Sequence, residues 1–216
     1  YEMSTRDWSS DVCSSDLSIN EESLSEAAFA QKCMLAGKIT DKLYQAIIPT
    51  HHYERAHHWF SEHGTPQEQS LILLYLGRSY AEDGEYNHAM TTYTKGMNIA
   101  EKYSLFDISG LINSYMGDLY ESKGMIELAI DKYKTAADLF LKDSNKKSYA
   151  CALGDCGRSY ARIDSIEKAI NILLQADSIS NEIDNPNVKA SIANTIAGTY
   201  LLSSNYNEAK TFYNKA

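Results

Sequence analysis

Tyr80, Tyr120, Tyr160 and Tyr200 stand 40 residues apart. A chain that repeats itself at such an interval folds into units that bury their apolar faces only by stacking on their neighbours. The repetition extends well beyond the tyrosines. Three residues before each stands Gly77, Gly117, Gly157 or Ala197, and nine residues after each stands Ala89, Ala129, Ala169 or Ala209. Four residues further on come Tyr93, Tyr133, Leu173 and Tyr213, followed by a second small set, Gly96, Ala136, Ala176 and Ala216. Two antiparallel helices approach closely only where small side chains face each other, and large ones must fill the space between hairpins. On this reasoning Gly77 and Ala89 and their equivalents are close-contact points. The tyrosines at positions 80, 120, 160 and 200 are packing wedges, each costing about 3 kcal/mol on truncation to alanine.

The punctuation between these positions is helical. Gly84 and Gly124 supply a left-handed helix stop, and Asp164 and Ser204 take the same place in the later units, where that conformation is less readily adopted. Thr65-Pro66-Gln67-Glu68 reads as an N-cap, a first-turn proline and a capping-box glutamate, so a helix begins near Pro66. Asn185-Pro186 repeats the logic and predicts a helix from Pro186 to Leu202.

The pattern Leu76-Gly77-x-x-Tyr80, Gly84-x-Tyr86-x-x-Ala89, Tyr93, Gly96 resembles the tetratricopeptide repeat, over residues 67–216. The resemblance implies an all-α fold, a right-handed superhelical solenoid of antiparallel helical hairpins. Two features depart from the family. The period is 40 instead of the usual 34, which implies helices longer by about a turn, as in long-repeat regulatory or cargo-binding arrays. The aromatic expected at the fourth position is Leu73, Asn113, Leu153 and Ala193, and the units with Asn113 and Ala193 are expected to pack less firmly. The units run over about 66–105, 106–145, 146–185 and 186–216, the last truncated, and the chain is expected to continue past Ala216. Residues 18–64 fit only loosely and are read as a divergent first hairpin, Glu22 to Lys42 and Thr50 to His63, capping the array. Residues 7–17 resemble the in-frame translation of a sequencing-library adapter, and residues 1–6 fit its upstream part. Segment 1–17 is therefore set aside as non-native and the true start as missing, which leaves localisation undetermined. Those residues contribute a net −3 to the formal charge of −9.

Several function classes are disfavoured. No run of 18 apolar residues suggests a membrane span. The acidic balance, with pI near 5.1, and the scattered basic residues argue against nucleic-acid binding by this segment. Cys151 and Cys156 lie about 140° apart on one predicted helix and suit neither a disulfide nor a shared metal. The stretch from His51 to His63 holds five of the six histidines, but their separations are 1, 5, 6, 7, 11 or 12. Metal-binding pairs on a helix need three or four, so a solvated face is expected and no metal or cofactor. No phosphate loop, nucleophile elbow or dinucleotide fingerprint occurs. Asp118 and Glu121 are read as surface carboxylates without an apolar pocket to raise a pKa. No catalytic residue is assigned, and the chain is not expected to be an enzyme.

In the family that the repeat resembles, the first helix of each hairpin lines a concave groove. Carried over by position, this implies a groove containing Leu74, Arg78 and Glu82 from the first unit, Asp118 and Glu121 from the second, and Arg158 and Arg162 from the third. The chaperone-binding carboxylate clamp needs lysine and asparagine where this chain has Leu74 and Arg78, or Ser114 and Asp118, so that function is not implied. Arg78 and Arg158 remain candidate anchors for an acidic or C-terminal peptide. The resemblance implies a protein- or peptide-binding scaffold, the sensory or interaction part of a larger bacterial regulatory protein. Two other readings stay open: the substrate-recruiting half of an enzyme, and a free-standing assembly scaffold.

Overall fold

A computed structural model describes residues 24–43 and 48–216, with the side chains of 40–43 excepted. The adapter-like segment 1–17 and the expected helix start at Glu22 lie outside the described residues. The described chain is built of helices: α1 (Glu26–Leu43), α2 (Thr50–His63), α3 (Pro66–Glu82), α4 (Tyr86–Lys102), α5 (Phe106–Ser122), α6 (Ile126–Lys142), α7 (Lys146–Arg162), α8 (Ile166–Asn181), α9 (Pro186–Leu202) and α10 (Tyr206–Tyr213). Consecutive helices pack as antiparallel hairpins, and α3 also adjoins α5 as α7 adjoins α9. The result is an all-α, right-handed superhelical solenoid of stacked hairpins, the fold expected from the repeat.

The 40-residue period resolves into a half-period of 20. From α3 to α7 each helix has 17 residues, separated by three-residue turns. The turns are chemically alike. Gly84, Ser104, Gly124, Ser144, Asp164 and Ser204 all have positive φ, between 54° and 80°. At each of these turns the next amide N–H reaches back to a carbonyl in the last helical turn, as Glu85 N does to Tyr80 O at 2.8 Å and Leu105 N to Ala100 O at 2.8 Å. This bond, five residues back, closes a Schellman motif. The stops at Gly84, Gly124, Asp164 and Ser204 are those expected from the sequence. Ser104 and Ser144, which join one hairpin to the next, were not anticipated, because serine is an uncommon choice for a left-handed residue.

Helix starts follow their side chains. The Thr65 hydroxyl accepts from Glu68 N while Glu68 accepts from Thr65 N, the complete capping box. Asn145 and Asn185 cap α7 and α9 by accepting from Ser148 N and Val188 N.

The core corrects one expectation. Tyr80, Tyr120, Tyr160 and Tyr200 are only partly buried. They sit in the last turn of α3, α5, α7 and α9, where the helix is about to leave its neighbour. The fully buried wedges are Tyr93, Tyr133 and Leu173, and the small residues at 77, 117 and 157 exist to receive them. A Cβ on Gly77, Gly117 or Gly157 would stand 2.6, 2.6 or 2.5 Å from the Tyr93, Tyr133 or Leu173 side chain. Ala89, Ala129, Ala169 and Ala209 are also buried, as expected of contact points. The fourth member of the wedge series, Tyr213, is 48% exposed, since α10 has only eight residues and no described helix stacks upon it. Tyr80 serves as a tie instead: its hydroxyl donates to Glu54 across to α2, and burial together with that carboxylate raises its pKa to about 12.

Candidate functional site

The carried-over residues all lie on first helices of hairpins, α3, α5 and α7, with different degrees of access. Leu74 is the exception. It is wholly buried in the core formed by the first hairpins and offers nothing to a ligand, which corrects its assignment to the groove. The fifth position of a unit lies between neighbouring first helices, so a leucine there is covered.

Arg78 is held by its own chain. Its Nε donates to Glu82 at 3.0 Å and Nη1 to the Tyr115 hydroxyl at 3.2 Å, while the guanidinium lies 5.5 Å from the Tyr115 ring centre. Its side chain is 12% exposed and that of Glu82 37%. The pair stiffens the α3 end of the face and spans to α5.

The densest charge cluster joins α5 to α7. Glu121 projects from the end of α5 with its side chain only 11% exposed, and Arg158 Nη2 and Arg162 Nη1 of α7 close on its two oxygens at 3.2 and 2.9 Å. Arg158 also turns back to Asp155 on its own helix at 2.8 Å. The Tyr133 hydroxyl donates to Asp118 Oδ1 at 2.6 Å and lies 3.3 Å from Glu121 Oε2. Ser159 adds a hydroxyl within 3.4 Å of Glu121. Glu121 and Asp155, with side chains 11% and 31% exposed, lie lower, Arg158 and Arg162 at 45% and 51% reach over them, and Asp118 stands exposed beside them.

The electrostatics follow from this layering. Burial pushes the Glu121 carboxyl upward, but Arg162 and Arg158 outweigh it and hold its pKa below the usual value. Asp118 has fewer donors, and burial raises it despite the Tyr133 hydroxyl. Asp155 is raised by burial to about 7, against the pull of Arg158 and with further repulsion from Asp118 and Glu121. Burial works against the charge of Arg158, yet Asp155 and Glu121 bind its protons more firmly than usual. Of the two carboxylates read as lying on the surface, Asp118 is exposed as expected, although desolvation by the surrounding chain raises its pKa, whereas Glu121 is the covered one and its pKa is lowered. The sequence pattern had not identified Asp155 or the Tyr133 hydroxyl as part of the cluster, nor Tyr115 as the partner of Arg78. Asp155 had a local signal, three residues before Arg158; the Tyr133 hydroxyl had none, because its ring reads as a packing residue.

The histidine-rich helix α2 is partly solvated, with His51, His58 and His63 exposed. His52 packs edge-on to Phe29 and His63 stacks on Trp59, so ring packing accounts for part of the cluster. His57 is half-buried and its Nδ1 has no hydrogen-bond partner; burial, with Lys95 and His58 nearby, lowers its pKa. Among the described residues no group of three or more histidine, cysteine, aspartate or glutamate side chains is placed to hold a metal, and no helix is long and apolar enough to cross a membrane. Cys33 and Cys156 are buried thiols, Cys151 is an exposed one, and none is in a disulfide.

No family model matches the chain, and no curated protein does. Among solved structures it is similar to BtubC (BKLC) from P. vanneervenii, with a TM-score of 0.71 at 14% identity over 93% of this chain and 83% of that one. It is similar also to a putative kinesin light chain with nearly identical TPR-like repeats from Podosopora anserina, TM-score 0.62 at 13% identity, covering 88% of this chain and 90% of that one. A signal transduction ATPase with numerous domains and a tetratricopeptide repeat sensor, from Pyrococcus horikoshii, gives 0.71 at 17% identity over 88% of this chain, which spans 30% of that protein. At these identities the likeness is one of fold.

Proposed function

We propose that this tetratricopeptide-like solenoid is a protein- or peptide-binding scaffold whose ligand lies along the first-helix face from α3 to α9. The observation that supports this most is the α5–α7 charge cluster. A folded chain that places Glu121 and Asp155 beneath two guanidiniums, with Asp118 beside them, pays a desolvation penalty, visible in the raised carboxyl pKa of Asp155. Such an arrangement has a use where Arg158 and Arg162 must be held in fixed positions for an incoming group.

The ligand class is an acidic or C-terminal peptide segment. Arg158 and Arg162 are the exposed cations of the face and each guanidinium has five donors, more than its contacts with Glu121 and Asp155 occupy. Exposed Glu82 and Asp118 set the register by excluding carboxylates from the neighbouring positions. Arg78, largely covered, supports the face from the α3 side. The hairpin of α1 and α2 serves as a divergent unit ahead of the repeats, and the repeats 66–105, 106–145, 146–185 and 186–216 are the binding body.

The wider role we propose is the sensory or interaction part of a larger bacterial regulatory protein, supported by the likeness in fold to an array described as a sensor. Sequencing outward from both ends of residues 18–216 in the source DNA tests that role: an adjoining effector module supports it, and an adjoining catalytic domain overturns it. The groove itself is tested by screening a peptide library with free acidic C-termini. The selected peptides should lose at least tenfold in affinity with Arg158→Ala or Arg162→Ala, and selection of peptides indifferent to both changes would sink the assignment.

A further inference from the structure

On the side of α5 turned away from the groove, a cleft of about 350 Å³ opens between α4 and α6. Its floor is α5 itself. Ser109, Asn113 and Met116 follow at helical spacing and point about 180° from Asp118, so the cleft and the charge cluster use opposite faces of one helix. The volume falls within the range of small-ligand sites.

The cleft exists where the repeat departs from its own pattern. The fourth position is Leu73 in the unit before and Leu153 in the unit after, and here it is Asn113, buried at 3% exposure. Its Nδ2 donates to Ser109 O at 2.9 Å and approaches Met97 Sδ at 3.9 Å, while its Oδ1 accepts no hydrogen bond among the described residues. That oxygen is not a sealed orphan but an acceptor open to a donor that enters the cleft.

The walls carry complementary charge. Glu101 on α4 and Lys132 on α6 both line the cleft, and neither forms an ion pair among the described residues. Met97, Met116 and Leu139 supply the apolar lining, and thioethers adapt to varied shapes. A ligand suited to this set has an ammonium for Glu101, a carboxylate for Lys132, an amide N–H for Asn113 and an apolar side chain for the methionines. We propose that the cleft binds a small apolar zwitterion of dipeptide size, at a site separate from the peptide groove.

Isothermal titration of the full chain with leucyl-leucine tests this. Saturable one-to-one binding is expected. N-acetyl-leucyl-leucine amide, which lacks both charges, should bind at least tenfold more weakly. Glu101→Gln and Lys132→Gln should each weaken leucyl-leucine at least fivefold. Asn113→Leu restores the residue type of the flanking units, removes the amide from the cleft floor and should abolish binding while raising or preserving the melting temperature. Arg158→Ala should leave dipeptide affinity unchanged, which separates this site from the groove. Absence of binding at millimolar leucyl-leucine overturns the proposal. So does binding that persists in Lys132→Gln and Asn113→Leu, and so does equal affinity for the capped compound. Should Asn113→Leu fail to fold, the two wall variants decide alone.

Discussion

The ring of Tyr133 lies against the bare backbone of Gly117, so closely that a Cβ there would stand 2.6 Å from the ring, and its hydroxyl ends 2.6 Å from Asp118, the next residue along. One side chain thus closes the α5–α6 hairpin and supplies a donor to the charge cluster. In the flanking units the receiving glycine remains, but the wedge is Tyr93 in one and Leu173 in the other, which has no hydroxyl to offer. The mechanical repeat is regular and its polar use is not.

Gly117→Ala should destabilise the protein by about 1–3 kcal/mol, because the added methyl meets the rigid edge of an aromatic ring enclosed on all sides. Urea denaturation checks this. Gly198→Ala is the control, since a Cβ there meets nothing within 4 Å, and it should be neutral or slightly stabilising.

Tyr133→Phe keeps the wedge and removes the hydroxyl. A loss of about 1–2 kcal/mol is expected, with a further rise in the Asp118 pKa, since the tyrosine hydrogen bond is what restrains it. Carboxyl chemical shifts followed through a pH titration report the second effect; an unchanged Asp118 would mean that the hydrogen bond is not made in solution.

The two tyrosine series should separate on truncation. Tyr93→Ala empties a site that is 1% exposed and should cost about 3–5 kcal/mol, whereas Tyr80→Ala, at a partly open helix end, should cost markedly less. Equal losses would restore the reading in which Tyr80 and its equivalents are the main wedges.

Asp155 predicts a pH dependence of definite sign. Its folded pKa, about 7, lies above the ordinary 3.8, so between these values the folded protein holds a proton that the unfolded chain has released. Its contribution to stability is therefore fully present below about pH 4 and is lost as the pH rises through 7. Asp155→Asn should abolish this part of the slope, so that the melting temperature of the variant relative to the wild type is higher at pH 8 than at pH 5. Glu121 acts oppositely: its lowered pKa gives stability that is present above the ordinary carboxyl range and lost in stronger acid.

Ser144 occupies the left-handed region at φ 58° without the glycine that normally does so. Ser144→Gly should stabilise by about 0.5–1 kcal/mol, through relief of the Cβ clash in the turn between hairpins. No gain in a thermal melt would indicate that the serine hydroxyl makes a compensating bond.

The sequence by itself carried the period, the helical class, the capping at Thr65 and Asn185, and four of the six left-handed turns, because each of these is decided within a few residues by backbone geometry. It also placed α2 and α9 at their observed bounds. Which member of each repeat is the wedge was settled only by tertiary packing: both tyrosine series have helical spacing, and only the depth of each position within the stack makes Tyr93 core and leaves Tyr80 at a rim. Leu74 was misplaced for the same reason, since a helix position faces solvent or a neighbour according to how closely the next hairpin approaches. The charge cluster joins Asp118, Glu121, Tyr133, Asp155 and Arg158 across three helices. Their pKa values depend on burial and on charges brought together from positions up to 40 residues apart, a distance at which local sequence pattern carries no electrostatic information.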